Sequence, residues 1–252
     1  MTTLTPTNGF PVNLIMAVTT ASATIFVGFL PTKSIRTPFF ARETLKAALA
    51  WVLVALMTPP SIMHYPIFFA LLCGGSWWKF SRDHALSGKM WLSIASGLGI
   101  SIGVMLLLAT TPQAYPPGLA QPAQTLLLVS IYLGGATIGL AYTSALLAMN
   151  VSTSSGVTSA IVRRYVGLLV ILVVARAVVL MGMVWLVRGF SAHDGFTYET
   201  LFALGDAIVM PGLAWMAWRA TRFSSRILPT RFLFVLCAFG FGAEILARFL
   251  VL

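Results

Sequence analysis

The stretch FLFVLCAFGFGAEILARFLVL, residues 232–252, is apolar along its whole length except for one glutamate, Glu244, and one arginine, Arg248. It is long enough to cross a bilayer as a helix, which takes about 20 apolar residues. Glu244 and Arg248 are four residues apart, so their side chains share one helix face and can form an ion pair. A charge inside a bilayer costs about 2.5–3.5 kcal/mol. Because the chain has only 6 acidic residues, a glutamate at this position indicates a structural or functional role.

The remainder of the chain has the same apolar character, with 58% hydrophobic and 9% charged residues and a mean hydropathy of +0.92. This composition predicts an all-α, polytopic membrane bundle that forms a single membrane domain over residues 1–252. Eight spans are expected, at residues 11–30, 40–58, 62–78, 90–110, 123–149, 165–187, 201–218 and 231–252. The second and third spans have an alternative, since residues 40–78 could form one broken helix with a re-entrant piece.

The basic residues alternate in position with these spans. Thirteen of the 16 lie in or next to every second loop: Lys33, Arg36, Arg42, Lys46, Lys79, Arg82, Lys89, Arg163, Arg164, Arg219, Arg222, Arg226 and Arg231. The positive-inside rule then predicts a multi-pass protein with both termini outside the cytoplasm. The net charge of +10 belongs to this topology. It does not indicate nucleic-acid binding, because the chain has no basic run and no basic face interleaved with aromatic residues.

Small residues recur four apart within the spans. Gly99 and Gly103 form one such pair, and Gly135 and Gly139 form another. This pattern favours close packing between helices of the same chain.

The embedded ionisable residues all fall at mid-depth or in the outer half of the predicted membrane. Arg176 lies near the middle of the sixth span, Asp206 about a turn and a half inside the seventh, and Glu244 and Arg248 beyond the midplane of the eighth. His64 and Tyr65 lie at the outer turn between the second and third spans; no embedded ionisable residue is expected in the inner half. One-sided placement favours a site that opens outwards over a proton relay across the whole membrane.

Purely structural pairings are the competing interpretation of these residues. Glu244 and Arg248 could form an ion pair that ties helices together, and Arg176 and Asp206 could neutralise each other, because an unpaired charge in lipid is costly. Asp206 could instead pair with Arg248. A histidine near the interface, such as His64, is commonly solvated.

Cofactor chemistry within this chain is not expected. The three histidines, His64, His84 and His193, fall on different sides or in loops, so they do not predict a haem held by two histidines. No Cys, His, Asp or Glu set has the spacing of metal or iron–sulfur ligands. A carboxylate, a histidine and an arginine in an outward-facing apolar pocket suit a quinol, whose oxidation releases protons that such groups accept. His64, Tyr65, Arg176, Asp206, Glu244 and Arg248 are therefore the predicted quinol-binding residues.

Three stretches resemble the membrane anchor subunit of the DMSO reductase family of molybdoenzymes. Residues 49–54 (LAWVLV) leading to 61–64 (SIMH) are similar to that family's second helix, which ends in a histidine tied to quinol binding. Residues 133–140, with LGG followed by GL, are similar to its glycine-rich middle helix. The last third of the chain, from Tyr198 to AEILAR at 243–248, resembles its final helices and their Glu-x-x-x-Arg.

This resemblance implies a subunit of an anaerobic electron-transport complex in the bacterial inner (cytoplasmic) membrane. An iron–sulfur subunit and a molybdopterin catalytic subunit would dock on the outer face. This chain would pass them electrons from menaquinol without a haem, Fe–S cluster or metal of its own. It would thus be a non-catalytic or quinol-oxidising subunit of an oxidoreductase.

Two other functions remain open. The first is a small-solute or ion transporter with Arg176, Asp206 and Glu244 as substrate ligands, which predicts polar residues at both membrane depths and internal symmetry. The second is an assembly or scaffold protein in which the ion pairs are only structural.

Overall fold

The protein is all-helical. A computed structural model describes residues 10–32, 35–58, 60, 63–98, 121–151, 157–188, 198–222 and 227–251. Within these ranges it contains eight helices and no β-sheet. They are α1 (Phe10–Gly28), α2 (Thr37–Met57), α3 (His64–Ser81), α4 (described over residues 85–98), α5 (Gln121–Met149), α6 (Ser159–Arg188), α7 (Tyr198–Ala220) and α8 (Ile227–Val251). The prediction of an all-helical fold is confirmed, and each helix overlaps one expected span.

Three helices contain segments that are long and apolar enough to cross a bilayer. Within the described residues these segments are Val129–Met149 in α5, Ser159–Gly182 in α6 and Ile227–Glu244 in α8. A shorter apolar helix covers Ile15–Gly28. Their length and composition indicate a membrane protein.

Residues 40–78 form two separate helices. α2 ends at Met57, α3 begins at His64, and the two pack extensively against each other. The ring of Trp51 in α2 stacks on that of Phe69 in α3, with centroids 4.7 Å apart. The two helices of the expected hairpin are therefore present, and their crossing of the membrane as two full spans remains a prediction.

The helices form a ring of four with a smaller group at its side. α5 packs on α6 and α8, and α7 packs between α6 and α8, so α5, α6, α7 and α8 enclose a common core. α1 packs on the outside of α5 and also contacts α2. α2 also reaches the end of α5, where Arg42 donates a hydrogen bond to Asn150 at 2.8 Å, and α3 packs against α2.

Close packing between α1 and α5 depends on glycine. A Cβ at Gly139 would lie 2.7 Å from the backbone nitrogen of Ala23, and a Cβ at Gly135 would overlap the side chain of Val18. The predicted intramolecular role of this glycine pair is confirmed. Gly99 and Gly103 lie outside the described residues.

Candidate functional site

A buried cluster of charged side chains joins three helices of the ring. Arg176 of α6 places its Nη2 2.7 Å from Oδ2 of Asp206 in α7 and 2.6 Å from Oε1 of Glu244 in α8. The three residues are 3%, 5% and 3% exposed, respectively. One guanidinium thus holds two carboxylates from different helices, and such charge-assisted contacts are among the strongest polar interactions in a protein.

The neighbouring helices leave room for this cluster. Gly134 of α5 faces Glu244, and a Cβ there would overlap the glutamate's carboxylate. Gly240, one helical turn before Glu244, is approached by the methyl group of Met210 from α7 and by Ile138 from α5. All four helices of the ring therefore converge around the Glu244 carboxylate.

The cluster has hydrogen-bonding capacity that its own side chains do not use. Nε and Nη1 of Arg176 and Oδ1 of Asp206 are buried and have no hydrogen-bond partner within the described part of the chain. Buried donors and acceptors are normally satisfied, because leaving one without a partner costs about 1–3 kcal/mol. Two donor groups of Arg176 and one acceptor of Asp206 are thus fully buried without a partner among the described residues.

Half of the predicted site residues come together here. The predicted pairing of Arg176 with Asp206 is confirmed, and Glu244 joins the same guanidinium. The side chain of Arg248 lies outside the described residues, so its pairing with Glu244 or with Asp206 remains a prediction.

His64 and Tyr65 occupy a different part of the fold. They begin α3, where their rings lie 4.1 Å apart, and His64 is exposed. In the part of the chain that the structure describes, no hydrogen bond or ion pair joins either of them to the α6–α8 cluster. The structure thus divides the five predicted residues whose side chains it describes between two places.

A third buried acidic residue, in addition to Asp206 and Glu244, was not expected. Glu43 of α2 is 4% exposed, with its carboxylate 2.9 Å from Nε of Arg42 and 3.2 Å from Nζ of Lys46. It lies among the basic residues that the positive-inside rule assigns to the cytoplasmic side. Glu43 is therefore a buried ionisable residue outside the predicted set, whose members were expected at mid-depth or in the outer half.

One feature of the sequence indicates that Glu43 is paired with a basic residue. Glu43 is an acidic residue within a basic stretch and stands three residues before Lys46, a spacing that brings side chains together on a helix. The basic residues Arg42 and Lys46 therefore act as partners of a buried carboxylate in addition to marking the topology.

Glu43 borders a cleft of about 190 Å³ between α1, α2 and α5. Hydroxyl groups line it, from Thr19, Thr20 and Thr24 of α1, Thr44 of α2 and Tyr142 of α5. Lys46 also lines the cleft, and its side chain is 43% exposed. The cleft is large enough for several water molecules or a small polar solute, since a water molecule occupies about 30 Å³ in the liquid.

The described residues contain no group of three or more His, Cys, Asp or Glu side chains that could hold a metal ion. The two cysteines, Cys73 and Cys237, are free thiols. Comparison with known proteins found no family model, no curated protein and no solved structure that matches this chain.

Proposed function

We propose that this chain oxidises menaquinol as the membrane anchor of a molybdoenzyme-type reductase complex. The observation that carries the proposal is the α6–α8 cluster, with two unused donors on Arg176 and one unused acceptor on Asp206. A quinol hydroxyl both donates and accepts a hydrogen bond, so it matches this combination. The surrounding helices supply the apolar wall that a quinol ring and tail require.

The cluster's residues have separate roles in this mechanism. Oδ1 of Asp206 accepts a hydrogen bond, and then a proton, from the quinol hydroxyl. Nε and Nη1 of Arg176 donate to the quinol oxygen and stabilise the negative charge that develops there as the proton leaves. Glu244 keeps the guanidinium in place by its 2.6 Å contact with Nη2.

In the overall reaction, partner subunits outside this chain accept the electrons that the quinol loses. Menaquinol loses two protons and two electrons and becomes menaquinone. The electrons pass to an iron–sulfur subunit and from there to a molybdopterin catalytic subunit. Arg248 is proposed to complete the site at the cluster. His64 and Tyr65, at the beginning of α3, are proposed quinol-binding residues that lie outside the cluster.

The proposed setting is the bacterial cytoplasmic membrane, crossed eight times, with both termini outside the cytoplasm. The cluster then lies in the outer half, on the side where the partner subunits dock. Protons and electrons leave on the same side, so quinol oxidation itself moves no charge across the membrane.

The first experiment is purification of the tagged chain in mild detergent, followed by assay of the co-purifying material for molybdenum and iron. Both metals in stoichiometric amounts would support the anchor role. A single metal-free band would overturn it.

Variants of the co-purified complex then test the site. Glu244→Gln, Asp206→Asn and His64→Ala are expected to abolish quinol-dependent turnover while the partner subunits stay bound. Asp83→Asn is the matched control, because Asp83 is an exposed carboxylate after α3 that accepts a hydrogen bond from Thr37, at 2.6 Å, and lies outside the cluster. Loss of the partners from the Glu244 or Asp206 variants would indicate a structural role instead.

The second candidate is a small-solute or ion transporter, and Glu43 favours it. A transporter needs buried polar groups at both membrane depths, and the Glu43 cleft adds one on the basic side to the Arg176 cluster. Uptake of small solutes into proteoliposomes that is lost in both Glu43→Gln and Asp206→Asn would support this function. Quinol-dependent turnover without solute uptake would exclude it.

A further inference from the structure

A basic pocket lies where the beginning of α6 meets the end of α7. It has a volume of about 870 Å³ and is lined by Ser159, Arg163, Arg164, Trp218, Thr221 and Arg222. Arg163 lies about 20 Å along α6 from Arg176, at a rise of 1.5 Å per residue. The pocket is therefore separate from the charged cluster and is not part of the proposed quinol site.

The pocket carries three positive charges without a negative one. None of its lining residues is acidic, and none of Arg163, Arg164 and Arg222 forms an ion pair within the described ranges. By contrast, the arginine in the membrane core, Arg176, holds two carboxylates. The uncompensated charge predicts an anionic ligand.

Trp218 arranges two of these arginines. The guanidinium of Arg222 lies 4.5 Å from the centre of a Trp218 ring, and that of Arg163 lies 5.9 Å from it. Trp215 packs beside Trp218, with ring centroids 5.0 Å apart. A tryptophan pair next to arginines is typical of the level of the lipid headgroups.

We propose that the α6–α7 pocket binds the phosphate group of an anionic phospholipid. Arginine guanidinium groups bind phosphate oxygens with paired, planar hydrogen bonds. The pocket also lies on the face that carries most of the chain's basic residues, where anionic lipids give a bacterial membrane surface its negative potential. Because the lipid contacts both α6 and α7, it stabilises the helix pair that carries Arg176 and Asp206.

The test uses the purified full-length chain, stripped of lipid in a neutral detergent. Thermal unfolding is measured with phosphatidylglycerol, with phosphatidylcholine and with inorganic phosphate at equal phosphate concentration. Phosphatidylglycerol is expected to raise the unfolding temperature by several degrees, and the other two additions to raise it much less. Equal responses to the two lipids, or an equal response to inorganic phosphate, would overturn the proposal.

Variants locate the effect. The double variant Arg163→Gln, Arg222→Gln is expected to require roughly tenfold more phosphatidylglycerol, or higher, for the same shift. Arg82→Gln is the matched control, because Arg82 stacks on Trp78 at 4.0 Å at the end of α3, outside the pocket. If the double variant unfolds before lipid is added, the double variant Arg163→Lys, Arg222→Lys replaces it, because lysine retains the charge. Native mass spectrometry then compares the phosphatidylglycerol bound to this variant with that bound to Arg82→Gln. Equal lipid requirement or retention in pocket and control variants would exclude this site.

Discussion

Gly134 of α5 lies directly against the carboxylate of Glu244 in α8. A Cβ at position 134 would overlap that carboxylate, which also contacts Nη2 of Arg176 at 2.6 Å. α5 contributes no charge to the cluster, and its packing nevertheless determines where the Glu244 carboxylate can lie. The absence of a side chain at Gly134 is a requirement of the buried ion pair.

Gly134→Ala is expected to destabilise the protein by displacing the Glu244 carboxylate from Arg176. In an ordinary helix, alanine in place of glycine stabilises by about 1 kcal/mol. Overpacking a filled core typically costs about 1–3 kcal/mol, so we expect a net loss. Thermal unfolding in detergent measures it.

Gly182→Ala in α6 is the control for this variant, because a Cβ there meets nothing within 4 Å among the residues that the structure describes. Its unfolding temperature should rise or stay unchanged. The two substitutions are chemically identical, so a shift of the same sign in both would mean that Gly134 does not constrain Glu244.

Arg176→Gln is expected to destabilise the protein much more than Asp206→Asn. Removing the guanidinium leaves two buried carboxylates without the cation they share, and breaking a buried ion pair in this way costs about 3–5 kcal/mol. In Asp206→Asn, the new amide oxygen can still accept a hydrogen bond from Arg176, whose charge Glu244 continues to balance. Unfolding temperatures and the yield of monodisperse protein from detergent compare the two variants.

A similar loss of stability in both variants would contradict this ranking. Arg176→Lys adds a further test of geometry. Lysine retains the charge, but its shorter side chain cannot place its nitrogen where Nη2 of Arg176 contacts both carboxylates, at 2.7 and 2.6 Å. The stability of this variant should therefore lie between those of the other two.

The helices could be predicted from the sequence because apolar length is a local property. The pairing of Arg176 with Asp206 could also be predicted, since opposite charges in an apolar core have few alternatives. The position of Glu244 beside the same guanidinium could not. The spacing to Arg248 is visible in the sequence, whereas the approach of α6 to α8 depends on how four helices pack.

Glu43 was missed for a related physical reason. Charged residues near a membrane face are usually solvated, and the sequence does not show that α1 and α2 enclose this one. The separation of His64 from the cluster also depends on how the helices pack in the tertiary structure. Depth in the membrane placed His64 near Glu244, but depth does not state which helices are neighbours across the bundle.

Gly139→Ala is expected to cost more stability than Gly134→Ala. The obstacle at Gly134 is the end of a glutamate side chain, which can rotate, whereas a Cβ at Gly139 would lie 2.7 Å from the backbone nitrogen of Ala23. Only a separation of α1 from α5 relieves that contact. The comparison of both alanine variants in one thermal unfolding series is the measurement, and a smaller loss for Gly139→Ala would show that α1 moves freely over α5.

The C-terminus is expected to lie outside the cytoplasm, and the loop after α7 inside. Thirteen of the 16 basic residues lie on the same side of the predicted spans, among them Arg219 and Arg222 at the end of α7. Positively charged segments resist transfer across a bacterial membrane. An alkaline phosphatase fused after Leu252 should therefore be active, and a green fluorescent protein at the same position should be dark. Fusions after Arg222 should give the reverse result, and they act as the control for expression.

Activity of the phosphatase after Arg222 but not after Leu252 would invert the orientation, and it would place the Arg176 cluster in the cytoplasmic half, away from the proposed partner subunits.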